Sequence, residues 1–189
     1  MPVQHRNRKG QIYTLHQGKS KTGTPQYFFS MKTEGDLAEA IPEGYEIYEN
    51  PNAQVFLRKI QPKLIRDSER AMVEKHLPES PGIFLCDIKG KTITIFEADQ
   101  DIKSLEESFR SLAFPRMIYT AELMRMAATF SGVFRFTLQD SEKRLFTLER
   151  YCFKGSIDDW MYLAGPEELE NLAKEYLEHL GQKSFYELY

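Results

Sequence analysis

Cysteine is scarce in this chain of 189 residues: only Cys86 and Cys152 are present, so no disulfide framework or cysteine-rich metal site can organise it. Both lie in apolar, strand-like runs (Ile83-Phe84-Leu85-Cys86 and Tyr151-Cys152-Phe153), where a thiol acts as a small buried hydrophobe, and both are read as reduced. Long apolar runs are lacking as well. No stretch approaches the roughly 18 consecutive apolar residues of a membrane span, and Met1 to Gly10 carries charge without the apolar run of a secretory signal. These absences predict a cytoplasmic protein with no membrane partner. Glycine and proline, 11 and 9 residues, are too few for a collagen-like or linker composition.

Catalytic and cofactor signatures are equally thin. Gly18-Lys19-Ser20 and Gly90-Lys91-Thr92 resemble the end of a phosphate-binding loop, but Tyr13 and Leu85 stand where its leading glycine is required. Both tripeptides read as hairpin turns. No Gly-x-Ser-x-Gly elbow occurs. The histidines (His5, His16, His76 and His179) are too scattered for a zinc spacing, and Glu175 with His179, four apart on one helix face, reads as an exposed ion pair or hydrogen bond rather than a metal site. The carboxylate pairs Asp158-Asp159 and Glu167-Glu168 read as solvated loop charge and a helix-start complement. No cofactor, metal or catalytic residue is assigned on this basis.

What the chain does have is the composition of a globular protein: 41% hydrophobic, 13% aromatic and 28% charged residues. Its net charge of −3 conceals segregation. Residues 1–33 carry Arg6, Arg8, Lys9, Lys19, Lys21 and Lys32 and no acid, whereas residues 34–52 carry Glu34, Asp36, Glu39, Glu43, Glu46 and Glu49 and no base. Acids dominate again after residue 155. Such polarity suits an anionic partner at the amino-terminal end, or pairing between oppositely charged segments of the chain.

Alternating apolar and polar positions predict most of the elements. Residues 11–16 and 26–31 form a hairpin with a basic tip, 45–48 and 53–58 two further strands, and 83–88 with 92–96 a second hairpin around Lys89-Gly90. A helical turn is expected near Asp36 to Ala40 and a helix over 63–76 behind Pro62. Asp101 can cap a helix bearing Ile102, Leu105, Phe109 and Leu112, and residues 117–127 read as a strand. Phe134, Phe136 and Leu138 share one face of a strand that turns at residues 139–142 into Arg144 to Phe153, and Trp160 to Leu163 adds a short strand. Gly165-Pro166-Glu167-Glu168 then opens a last helix striped with Leu169, Leu172, Ala173, Tyr176, Leu177 and Leu180.

Hairpins without sustained strand-helix-strand alternation predict an α+β fold, mostly antiparallel sheet with about three helices. Leu-Pro-Glu-Ser-Pro-Gly at 77–82 suggests a boundary between an amino-terminal unit, 1–76, and a carboxy-terminal unit, 83–189.

The functional expectation is a binding protein rather than an enzyme. Arg6, Arg8, Lys9, Lys19 and Lys21 flank Tyr13, Tyr27, Phe28 and Phe29, a mixture in which cations neutralise phosphates while exposed rings stack bases. Nucleic acid is therefore the named ligand, with Arg6, Arg8, Lys9, Tyr13, Lys19, Lys21 and Tyr27 as the contacting residues. Arg58, Lys59, Lys63, Arg66 and Arg70 either extend that patch or neutralise the acids of 34–52. One alternative is an interaction or self-associating module, a homo-oligomer paired through its opposite charges and the aromatic tail Phe185-Tyr186-Glu187-Leu188-Tyr189. Another is an enzyme whose site is assembled from residues distant in sequence, which a concave pocket holding several titratable groups would favour.

Overall fold

A computed structural model describes residues 1–79, 83–100, 126 and 128–188. The chain is α+β, with antiparallel sheets built from hairpins, and it divides into two compact units, Met1–Gln61 and Pro62–Tyr189. The helix that follows Pro62 thus belongs to the second unit. The helix expected from Asp101 and the strand expected over 117–127 lie outside the described residues, Met126 excepted.

The first unit holds a three-stranded sheet, β1 (Gln4–Arg6), β2 (Ile12–Lys19) and β3 (Pro25–Ser30), in that order, and a two-stranded ribbon of β4 (Tyr45–Glu49) and β5 (Val55–Lys59). Alternation along β2 sends Leu15 into the interior, where it is fully buried. No helical turn forms over Asp36 to Ala40. That segment runs along β2 instead, with Leu37 bridged to His16, Gln17 donating to the Asp36 carbonyl and Ala38 to the Leu15 carbonyl. The free backbone edge of β2 beyond β1 is thereby satisfied, which a one-turn helix would have left open.

Polar contacts tie this unit together. Buried Asn7 donates from Nδ2 to the Ala53 carbonyl at 2.7 Å and to Gln11 Oε1 at 2.9 Å, joining the β1–β2 turn to the turn of the β4–β5 ribbon. Glu49 accepts from the Arg8 backbone N–H at 3.1 Å and lies 3.2 Å from His5 Nε2. Buried His16 stacks on Phe28, centroids 5.3 Å apart, and lies 3.0 Å from the Lys32 carbonyl through Nε2.

The second unit is a five-stranded antiparallel meander of β6 (Phe84–Lys89), β7 (Thr92–Ala98), β8 (Phe130–Asp140), β9 (Leu145–Lys154) and β10 (Ile157–Glu168), which pair in sequence order. Ile93, Ile95, Phe134, Phe136, Phe146 and Leu148 point to one face and are fully buried. Among the described residues this unit has two helices, α1 (Asp67–His76) and α2 (Leu169–Tyr176); they pack on each other, and the chain passes from α2 into short 3-10 turns at Leu177–His179 and Lys183–Glu187. Leu172, Ala173 and Leu177 close the core from the α2 side.

Two helix starts differ from the sequence expectation for identifiable reasons. α1 begins at Asp67, not residue 63, because Arg144 takes the Leu64 carbonyl at 3.1 Å and grips Glu69 through two hydrogen bonds of 2.8 and 2.5 Å. Glu69 also accepts the Arg66 N–H at 2.7 Å, capping the helix there. α2 begins at Leu169, not at Gly165-Pro166, because Glu167 and Glu168 still pair with Phe146 and Leu145 on β9. The short strand expected at Trp160 to Leu163 is thus part of a twelve-residue one.

Gly165, at φ 100°, cannot be replaced without disturbance: a Cβ there would stand 2.4 Å from the Phe146 carbonyl oxygen. The two cysteines are unpaired. They lie on β6 and β9, three strands apart and hence about 14 Å, well beyond the reach of a disulfide. Burial, the largest influence on it, pushes the Cys86 thiol up to about 12, which leaves it protonated and unreactive at neutral pH.

Candidate functional site

The residues proposed from sequence for nucleic-acid contact occupy the first sheet, but its geometry disperses them. Arg8 and Lys9 sit in the β1–β2 turn, whereas Lys19 ends β2 and Lys21 lies at the tip of the β2–β3 hairpin. The eight residues of β2 separate these ends by roughly 25 Å. The faces divide them again. Tyr13 and Lys19 alternate with Leu15 on one face, where Gln17 pairs across to Tyr27, whereas Arg6 pairs with Ile12 on the face that carries His16 and Phe28.

Their electrostatic states differ as well. Arg8 makes an ion pair with Glu49 at 3.8 Å and donates through Nη2 to the Asn50 carbonyl at 3.0 Å. Arg58 pairs with Glu46 at 2.8 Å and lies 4.1 Å over the Tyr48 ring, so it neutralises the acidic segment rather than extending a basic surface. Arg6, Lys19 and Lys21 are exposed and carry no ion pair among the described residues. Of the aromatic rings, Tyr13, Tyr27 and Phe29 are half-buried and Phe28 is exposed.

A different site lies in the second unit. A cavity of about 830 Å³ opens on the inner face of the meander, with Val133, Cys152, Met161 and Phe185 among its apolar walls and Arg150 and Glu97 among its polar ones. That volume falls within the range of sites that enclose small organic molecules. Arg150 follows Phe146 and Leu148 in the inward-facing phase of β9, which makes it a charge at a core position.

The guanidinium of Arg150 is under-satisfied. The residue is 5% exposed, its Nη1 donates to the Phe185 carbonyl at a long 3.3 Å, and its Nε is buried without a hydrogen-bond partner. The Phe185 ring stands 5.4 Å from its charge centre. Among the described residues no carboxylate pairs with it. A buried cation without a counter-charge is costly, and Arg is always charged, so an anion entering this cavity would meet a preformed forked donor in a low-dielectric setting.

Glu97 follows Ile93 and Ile95 in the inward phase of β7 and pairs across to Ser131. Burial first, and Asp99 second, raise its carboxyl above the usual range. The rim carries Tyr186, 72% exposed, Phe153, 81% exposed, and Ile157, 43% exposed. The aromatic tail is divided by this arrangement, Phe185 packing edge-on against Phe134 at 5.1 Å while Tyr186 stays in solvent.

On the opposite face of the sheet Arg135 is fully engaged, bidentate to Glu149 at 2.7 and 2.9 Å and 4.5 Å over the Trp160 ring. His179 lies 2.8 Å from the Ser184 hydroxyl through Nδ1. Among the described residues no group of three His, Cys, Asp or Glu side chains is placed to hold a metal ion, and no helix is long and apolar enough to cross a membrane. In comparisons with known proteins, no family model matches the chain, nor does any curated protein or solved structure.

Sequence reasoning passed over Arg150 and Glu97. The signal was present in both cases, a charge in phase with the apolar residues of an alternating strand: Phe146-x-Leu148-x-Arg150-x-Cys152 and Ile93-x-Ile95-x-Glu97.

Proposed function

We propose that this chain is a binding protein whose second unit encloses a small, largely apolar molecule bearing one anionic group, a carboxylate by preference. The observation that carries the reading is the buried Arg150 guanidinium with an unpartnered Nε at an apolar cavity of about 830 Å³. A carboxylate accepts a guanidinium fork bidentately, and an apolar body fills the walls formed by Val133, Met161 and Phe185.

Calorimetric titration of the whole chain with octanoate and with octanol tests it. Octanoate is expected to bind, octanol to bind at least about tenfold more weakly, a difference of about 1.4 kcal/mol. Arg150→Met removes the charge with little change of volume, so the variant should fold at least as stably while losing octanoate. No octanoate binding by the native protein, or equal binding by Arg150→Met, overturns the reading.

Nucleic acid at the hairpin tip is the second reading, favoured by Lys19 and Lys21, which are exposed and carry no ion pair among the described residues, on the half of the hairpin that holds Tyr27. It predicts oligonucleotide affinity that falls with salt, and a shallower salt slope for the Lys19→Ala/Lys21→Ala double variant. A slope unchanged by that substitution removes it.

A further inference from the structure

Resting on the Arg150 reading, we infer that the cavity's ligand has two functional ends: a carboxylate held by Arg150, and a cationic or N–H-bearing group held by Glu97 at a distance, with an apolar spacer between them. Both side chains line the same cavity, one a donor and the other an acceptor. Neither is spent on the other. No ion pair joins them, Arg150 keeps an unpartnered Nε, and Glu97 makes no hydrogen bond through its side chain among the described residues.

The sheet register sets the spacing. Glu97 pairs with Ser131 on β8, and Arg150 with Phe134 on the same strand from the other side. Two strand spacings across the sheet and three residues along it, shortened by the bulge between Ile95 and Phe96, put the two backbones roughly 12 Å apart. Backbones that far apart suit a ligand whose two charges are set well apart, such as a linear ω-amino acid of medium length, better than an α-amino acid, whose charges are separated by one carbon. Val133 on the intervening strand and Cys152 beside Arg150 on β9 offer apolar wall to a hydrocarbon spacer, while the hydroxyl-bearing Ser131 stands next to Glu97. The raised proton affinity of Glu97, due chiefly to burial and then to Asp99, agrees with a carboxyl that makes no ion pair among the described residues.

The test compares octanoate, octylamine and ω-aminooctanoate on the full chain by calorimetry, with Glu97→Gln and Arg150→Met beside the native protein and circular dichroism as the check of folding. The native protein should prefer ω-aminooctanoate over octanoate by about tenfold or more, equivalent to about 1.4 kcal/mol. Glu97→Gln should erase that preference, so that ω-aminooctanoate and octanoate bind the variant equally. Equal affinities of the native protein for octanoate and ω-aminooctanoate, or a preference that survives in Glu97→Gln, overturns the two-ended ligand and leaves the Arg150 reading standing. Octanoate binding that is indifferent to Arg150→Met overturns both.

Discussion

The two units reach order by different means. In Met1–Gln61 the buried apolar residues are Leu15, Ala38, Pro51, Ala53 and Val55, none of them aromatic, while Asn7, Thr14 and His16 are buried beside them. In Pro62–Tyr189 the interior is made of large side chains, Phe134, Phe136, Phe146, Leu148 and Leu172 among them, with Arg150 the charged exception among the described residues. The first unit therefore rests mostly on directional contacts, each worth only about 0.5–1.5 kcal/mol net yet costly to leave half-made. The second rests on apolar burial, worth about 25 cal/mol per Å² and indifferent to pH. The comparison teaches where a cavity can be carried: the unit with a large apolar reserve is the one that tolerates a guanidinium with no carboxylate partner among the described residues.

The largest expected effect lies in that reserve. Phe136→Ala should destabilise the second unit by about 3–5 kcal/mol, read from denaturant unfolding and from lost amide-exchange protection in β8 and β9. A loss below about 1 kcal/mol would mean that the core collapses around the missing ring and that the contrast between the units is overstated.

Next comes Glu69→Gln, which tests the polar clamp of the apolar unit. Burial works to raise the Glu69 carboxyl, but the hydrogen bonds from Arg144 and the Arg66 N–H, with both guanidinium charges, bring it below its ordinary value of 4.5. A carboxyl depressed on folding stabilises the native state above its unfolded pKa, and that contribution disappears as pH falls through the lower native one. Glu69→Gln should hence cost about 1.5–3 kcal/mol at pH 7 by urea titration, with the gap to the native protein narrowing below about pH 4.5. A gap independent of pH would assign the effect to packing instead.

Asn7→Ala probes the polar unit. It leaves the Ala53 carbonyl and the Gln11 N–H without their partners, a loss of about 1–3 kcal/mol, to be read as faster exchange of the Gln11 amide. The smallest effect is expected of Glu97→Gln. Its carboxyl is raised on folding, so the native state is favoured below the unfolded pKa and loses that advantage as pH rises through the native value. The variant should accordingly melt slightly higher than the native protein at pH 7 and together with it at pH 4. A lower melting temperature at pH 7 would show that Glu97 has a stabilising partner.

Much of the fold was legible because it is built from hairpins, whose alternation and turns are local. Phe134, Phe136 and Leu138 on one face, and the Lys89-Gly90 turn, follow from neighbouring residues alone. The starts of α1 and α2 did not, because each is set from far along the chain: α1 by Arg144, 75 positions beyond Glu69, and α2 by the demand of Leu145 and Phe146 for partners. The basic cluster looked compact in sequence, but β2 carries Lys19 away from Arg8, and Glu49 claims Arg8. For Arg150 the inward position was readable from alternation; that its Nε would lack an acceptor was not, since that depends on the placement of Phe185, 35 residues later.

β10 forms one border of the meander, and its register slips between Tyr162 and Ala164 and again between Ala164 and Glu167. With Pro166 supplying no N–H, the outward row of backbone donors and acceptors is broken midway. A foreign strand seeking to add itself there would find no continuous template, which protects a sheet this rich in phenylalanine from growing into aggregates along that side.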